Sequence, residues 1–457
     1  MATGDSTTDS AEAGPNITYG IEEEPPLPEA VLLGLQHVLA MFLGNVAPAI
    51  IVAGGIGALT GQMSYLVQVA LIVAGVATIV QAYPIGPVGA RLPIVMGTSF
   101  PFVAAIIGIG NTYGIAAVFG ACLVGGLFQT VLGFSFGHIK QFFPPLVNAI
   151  VVMLIGLTLI PVGMDYAAGG AGAADYGALE NLALAGLVLV VTLGLNQLFE
   201  GFVRIASVFV GILAGYLVAI PLGMVDFAGV ANAAWFAAPE LLPYGVAFEP
   251  GAIVTIAFLY VTTAMETIGD ISGTTSAVGR DATQDELEGG LVADGLMSAL
   301  GALVGSLPNT SFSQNVGLIN LTGVASRHVV AIGGAFLLVL GFVPKVGAIV
   351  SAMPAPVLGG GALLVFSMIF SSGVRILYDD VAFTHRNMTI VAASIGLGLA
   401  VKLRPEALAQ LPQDAQLFFG SGLITGGFAA LILNVVLPED APFGDRSPAD
   451  TTVSADD

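Results

Sequence analysis

Leu307-Pro308-Asn309-Thr310-Ser311-Phe312-Ser313-Gln314-Asn315-Val316-Gly317 is a polar run set inside an apolar window at 308–323. Alternation from Asn309 to Ser313 predicts a short extended piece, and Gln314-Asn315 then begins a half-helix reaching to about Thr322. The first backbone N–H groups of such a helix have no partner within it and are free to meet a ligand. An earlier window, 92–108, carries an echo: Leu92-Pro93 followed by Thr98-Ser99-Phe100 answers Leu307-Pro308 followed by Thr310-Ser311-Phe312. Both windows are short, begin with proline and place small hydroxyl residues where a lipid-facing helix carries Leu or Val. A strand at Thr310 paired with its mate around Ser99 would aim both following helices at one cavity.

That these breaks lie at membrane depth follows from what surrounds them. Of 457 residues 56% are hydrophobic and 9% charged, against about 25% charged in soluble domains. Between Glu29 and Lys140 the only Asp, Glu, Lys or Arg is Arg91, which no water-exposed surface tolerates. Windows long enough to span, about 20 apolar residues each, fill the chain in two sets of seven. With the N-terminus in the cytoplasm, Arg91, Lys140, Arg204, Arg280, Arg327, Arg375, Arg386 and Arg446 fall inside, and Lys345, Lys402 and Arg404 outside. The positive-inside rule therefore places both termini in the cytoplasm of a multi-pass cell-membrane protein. Because seven is odd, two homologous halves enter the membrane in opposite directions, giving an all-α polytopic fold of about fourteen segments in a 7+7 inverted repeat. Its third and tenth segments are broken strand-helix pieces. Unwound backbone at that depth persists only where protein or a cavity satisfies its polar groups, so the paired breaks point to a ligand site near the midplane.

Residues 1–28 hold six acids and no Lys or Arg, which reads as a retained acidic tail rather than a signal peptide. The formal charge of −20 disfavours nucleic acid as a partner. Cys122 is the only cysteine, which excludes intrachain disulfides and multi-cysteine metal sites, and no cofactor is expected. Neither GxxxxGK[ST] nor HExxH occurs, so nucleotide-driven pumping and zinc proteolysis have no signature here. Catalytic residues are not expected.

Ionisable groups inside spanning segments are costly and mark function by default. His37, Glu266, Asp270 and Asp294 are the candidates. Glu266 and Asp270 lie four apart in TAMETIGDIS and so share one face of the eighth helix. Asp294 is read as opening the ninth window, close to the acidic loop at Asp281, Asp285, Glu286 and Glu288. His37 follows Gln36 in mid-helix, where a core histidine would hydrogen-bond a neighbouring helix.

Together these residues resemble the nucleobase-ascorbate transporter family, nucleobase:cation symporter 2. Its tenth-segment pattern [Q/E/P]-N-x-G-x-x-x-x-T-[R/K/G] is met by Gln314-Asn315-Val316-Gly317 and Thr322-Gly323. The eighth-segment Glu with a polar residue four later matches Glu266 and Asp270, the ninth-segment Asp matches Asp294, and the first-segment Gln-His matches Gln36-His37. The resemblance implies a core domain of segments 1–4 (29–135) and 8–11 (250–348), and a gate domain of segments 5–7 (136–225) and 12–14 (349–437). An external loop at 226–249 and acidic cytoplasmic tails at 1–28 and 438–457 complete the division. It further implies a homodimer and a substrate held between core and gate by Glu266, Gln314, Ser99, Phe100, Ser313 and Asn315, with Asp294, Asp270 and His37 as proton-coupling groups. Gln at position 314 matches the xanthine and uric acid permeases, whereas uracil permeases carry Glu there. The expectation is a proton-driven symporter of xanthine or uric acid working by alternating access, with sodium as the alternative cation. Uracil transport, or an anion exchanger or channel on the same fold, is the alternative function.

Overall fold

The computed structural model describes residues 17–139 and 144–438. Its first half runs α1 (Leu27–Gly55), α2 (Met63–Ala82), β1 (Met96–Thr98), α3 (Val103–Tyr113), α4 (Ile115–Phe134), α5 (Pro145–Ala167), α6 (Leu179–Leu198) and α7 (Ser207–Ala219). The second runs α8 (Pro250–Ala277), α9 (Gln284–Leu303), β2 (Asn309–Ser311), α10 (Ser313–Thr322), α11 (Arg327–Gly341), α12 (Ala355–Asp380), α13 (His385–Leu403) and α14 (Gly422–Val436). The polar run and its echo thus each form a three-residue strand leading into a short helix.

Among the described residues eight helices, α1, α2, α4, α5, α6, α8, α12 and α13, are long and apolar enough to cross a bilayer. Two bent pairs raise the number to ten: α11 with the short helix Pro344–Ser351 at 82°, and the short helix Gln413–Phe419 with α14 at 75°. The sequence suggested one unbroken window at 415–437. It breaks because the Ser421 hydroxyl accepts the Ile424 N–H (3.4 Å) and so starts a fresh helix behind Gly420. The remaining segments fall short of plain spans: α3, α7 and α10 by length, and α9 because it carries Asp285, Glu286, Glu288 and Asp294.

The helices sort into two packing groups. In one, α4 lies along α9, α11 along α2, and α1 against both α2 and α11; in the other, α5 lies along α12, α13 along α14, and α6 on α7 and α12. The crossing of α4 with α9 needs glycine on both sides, since a Cβ on Gly126 or on Gly295 would come within 2.7 Å of the other's carbonyl oxygen. Small residues at such crossings let backbones touch, which replaces the hydrophobic drive that lipid cannot supply.

At the centre of the first group the two strands pair antiparallel, Met96 opposite Ser311, Gly97 opposite Thr310 and Thr98 opposite Asn309. A two-stranded ribbon has exposed edges, and in a bilayer each unpaired backbone group costs several kcal/mol. Here helix side chains take those groups up. Thr98 N–H donates to Asn45 Oδ1 (2.8 Å), Met96 N–H to Thr78 Oγ1 (2.9 Å) and Asn309 N–H to Ser298 Oγ (2.9 Å). The ladder is extended at its ends by Ser99 N–H to Pro308 O (2.8 Å) and Phe312 N–H to Val95 O (3.0 Å). The Phe312 ring fits because Gly44 and Gly97 have no Cβ, which would otherwise meet it at 2.4 and 2.6 Å.

The acidic segment ahead of α1 was expected to be a solvated tail. Residues 1–16 and 439–457 lie outside the described residues, but 17–26 form a strap across the end of this helix group. Tyr19 bridges to Val324, with Ala325 N–H donating to Tyr19 O (2.8 Å). Glu22 accepts from Arg91 Nε (2.9 Å) and Arg327 Nη2 (2.8 Å), and so joins the approach to β1 with the start of α11. The hydrogen bond from Arg91, working against partial desolvation and helped by Arg327, holds the Glu22 carboxyl at about 2 rather than its ordinary 4.5. A carboxyl lowered on docking contributes its full stabilisation above its ordinary titration range and loses it progressively as pH falls from 4.5 to about 2. Amide-exchange protection of Ala325, corrected for intrinsic rates, should therefore weaken steadily across that window, with Glu22→Gln removing the pH-dependent step. Protection that stays flat across the window in the wild type would refute the assignment.

Candidate functional site

α8 presents Glu266 and Asp270 one turn apart, and Asp270 is the better tied of the two. Its Oδ2 accepts from Ser311 Oγ (2.5 Å) and its Oδ1 from Ser313 Oγ (2.6 Å). One buried carboxylate therefore fixes the last residue of β2 and the first of α10, which positions Gln314 directly after it. Gln314 and Ser313 are exposed, as is Gly269 beside Asp270, whereas Asn315 turns inward. Asn315 Nδ2 donates to His37 O (3.1 Å) and lies 2.9 Å from His37 Nδ1, so α10 is pinned to α1 as well as to α8. His37 is a buried histidine bonded to a neighbouring helix.

Asp294 sits at a different depth from the one the sequence suggested. A capping box starts α9 at Gln284, with Glu286 N–H donating to Thr283 Oγ1 (3.3 Å) and Thr283 N–H to Glu286 Oε2 (2.8 Å), which leaves Asp294 in mid-helix. It is fully buried, and its Oδ2 accepts from Gln129 Nε2 of α4 (2.8 Å) and Thr267 Oγ1 of α8 (2.7 Å). Thr267 is the residue after Glu266, so Asp294 bonds α8 beside Glu266.

Glu266 is half-buried, yet its Oε2 is shielded from solvent and has no hydrogen-bond partner among the described residues. The Thr310 hydroxyl faces it without closing a bond of normal geometry. Ser99 Oγ and Asn315 Oδ1 are likewise buried and unpaired. Buried polar atoms nearly always find partners, so exceptions grouped in one place call for an explanation, of which a bound ligand is one. Phe100 meets Phe366 of α12 edge to face at 5.2 Å. The structure thus gathers Glu266, Asp270, Ser313, Gln314, Asn315 and His37 where α1, α8 and α10 meet, with Ser99 and Phe100 at the start of the α3 segment.

Sequence reasoning missed Asn45, Thr78, Gln129 and Ser298, which hold the ribbon and Asp294. Asn45 and Gln129 had a signal, being amides inside apolar windows.

The model of the permease family Xan_ur_permease matches residues 28–407. The chain belongs to that permease family. A Clostridium perfringens (strain 13 / Type A) relative, CPE0397, is 44% identical over 424 residues, 93% of this chain and 94% of its own. Two relatives from Bacillus subtilis (strain 168) are each 36% identical: the uric acid permease PucK over 91% of this chain and 96% of its own, and a xanthine permease over 88% and 92%. Among solved structures, the transmembrane domain of a cyanobacterium bicarbonate transporter, BicA, superposes with a TM-score of 0.61 at 18% identity, covering 84% of this chain and 98% of that one. At that identity the likeness concerns the fold. As a member of this family the protein is a transporter rather than an enzyme, and a multi-pass membrane protein.

Proposed function

We propose that the protein is a secondary active symporter of oxidised purine nucleobases, xanthine or uric acid, driven by the proton gradient through alternating access. The observation that carries this reading is Glu266, with one carboxylate oxygen buried and unpaired one turn from Asp270, whose serine bonds hold Gln314 at the start of α10. A carboxylate accepts N–H groups, while an amide offers one donor and one acceptor. The two suit a planar heterocycle whose edge alternates N–H and C=O, and the names of the Bacillus subtilis relatives support the same substrates.

In this reading α1–α4 with α8–α11 are the core and α5–α7 with α12–α14 the gate, and α1–α7 and α8–α14 are the two inverted halves. Both termini are cytoplasmic, and the dimer forms through the gates. Uptake into vesicles of radiolabelled xanthine, urate and uracil, with and without a proton uncoupler, tests it. Purine accumulation that the uncoupler stops supports symport; uptake of uracil alone removes the substrate assignment. Gln314→Glu replaces a donor-acceptor pair with acceptors only, and should weaken xanthine and urate by about 1–3 kcal/mol, the cost of an unsatisfied buried group. In the wild type, xanthine and urate should each block uptake of the other while excess uracil does not. Unchanged purine affinity in the variant would show that Gln314 does not read the base.

A further inference from the structure

A cavity of about 360 Å³ lies between α3 on one side and α5, α13 and α14 on the other. Phe100 and Pro101 form its inner end, and Thr158, Lys402, Gln416 and Ser421 contribute polar groups to its wall. Its volume falls in the range of roughly 300–1,000 Å³ that holds small molecules. Phe100 is also one of the substrate contacts expected above, so in the proposed reading this cavity adjoins the Glu266 site.

Three cations, Lys345, Lys402 and Arg404, are the ones the positive-inside reading puts outside. Lys345 donates to Val230 O (2.8 Å) and sits over the Trp235 ring at 5.1 Å. Arg404 donates to Leu403 O (2.8 Å) and pairs with Glu406 at 3.8 Å. Lys402 alone of the three makes no hydrogen bond or ion pair among the described residues, although it is half-buried. The acid whose charge reaches it, Asp165, lies beyond ion-pair distance and accepts instead from the Tyr176 hydroxyl (2.8 Å). A long cationic side chain partly removed from bulk water without an ion-pair partner among the described residues, in the wall of a cavity, is arranged for an anion that comes and goes.

We propose that this cavity is a first-contact subsite for the anionic form of the transported purine, with Lys402 holding the negative charge before the base passes Phe100 to Glu266. The inference rests on the purine reading above and goes beyond it by naming the ionisation state that is captured. The chemistry explains why such a subsite is useful. Urate is a monoanion at neutral pH, whereas the chain has a formal charge of −20 and the deeper site carries Glu266 and Asp270. Without a local cation an anionic base meets repulsion at every step. A single charge in a low-dielectric cleft raises the local concentration of its counter-ion, by about tenfold or more.

The test compares initial uptake rates of radiolabelled urate and xanthine at mildly acidic pH, where urate is still ionised and xanthine is largely neutral. Wild type, Lys402→Gln and Lys402→Arg are normalised to protein in the membrane. Lys402→Gln should raise the urate KM on the order of tenfold with little change in maximal rate and leave the xanthine KM unchanged, and Lys402→Arg should keep both near wild type. An unchanged urate KM in Lys402→Gln, or an equal rise for urate and xanthine, overturns the subsite while leaving the purine reading intact. Failure of the wild type to take up either purine overturns both.

Discussion

Glu266→Ala should abolish purine uptake while the protein still reaches the membrane in normal amount. The side chain bears no structural hydrogen bond through Oε2, so its removal leaves the surrounding packing supplied: Asp270 still holds Ser311 and Ser313, and Thr267 still bonds Asp294. What disappears is the acceptor for substrate N–H groups. Truncating one partner of a buried, charged hydrogen bond costs about 2–5 kcal/mol, enough to take uptake at micromolar substrate to background. Initial rates of radiolabelled xanthine uptake, normalised to membrane protein, measure it. Wild-type rates in the alanine variant would remove Glu266 from the site and, with it, the central premise of the proposed function.

The second large effect concerns energy coupling. Asp294→Asn should leave substrate exchange across the membrane measurable but end accumulation against a gradient. Asp294 is buried with one oxygen bonded by Gln129 and Thr267 and the other unpaired, which leaves a position for a proton on a group that links α4, α8 and α9. Asparagine keeps the shape and can still accept from Thr267, but it cannot bind and release a proton. Counterflow of preloaded xanthine should therefore persist while uncoupler-sensitive accumulation is lost. If accumulation survives in the variant, or if removing sodium rather than adding an uncoupler stops it in the wild type, proton coupling through Asp294 is wrong.

What the sequence revealed and what it hid divide along a physical line. Polar residues in a membrane are expensive, so Thr98, Ser99, Glu266, Asp270, Ser311 and Gln314 stood out from their apolar surroundings without knowledge of their neighbours. The strand-helix character of both broken segments followed from the same contrast. Partners were another matter. That Asp270 would clasp both Ser311 and Ser313, or that Asn315 would reach His37, depends on how helices far apart in sequence meet, which no local pattern encodes. Asp294 was placed at a helix end because the acidic loop before it masked the Thr283 cap, and a cap is set by geometry over one turn. Lys402 was read only as an external charge, since its lack of a counter-ion appears once Arg404 and Lys345 are seen to have theirs. The docked strap was hidden by its composition, because an acidic stretch reads as solvated until Arg91 and Arg327 converge on it.

The pairing of β1 with β2 also sets when the molecule can become competent. Met96 to Thr98 are made early in synthesis, and their partners Asn309 to Ser311 only after α8 and α9 have followed. Until then Asn45 and Thr78 can satisfy one edge of β1, but the edge meant for β2 has only water or the insertion machinery to bond to. A contact between segments so distant in sequence is slow to form, because the intervening loop must be closed before the contact repays it. Insertion of the first seven helices therefore yields no half-active intermediate. The binding site is assembled in a late maturation step, in which one short ribbon joins the two halves of the chain.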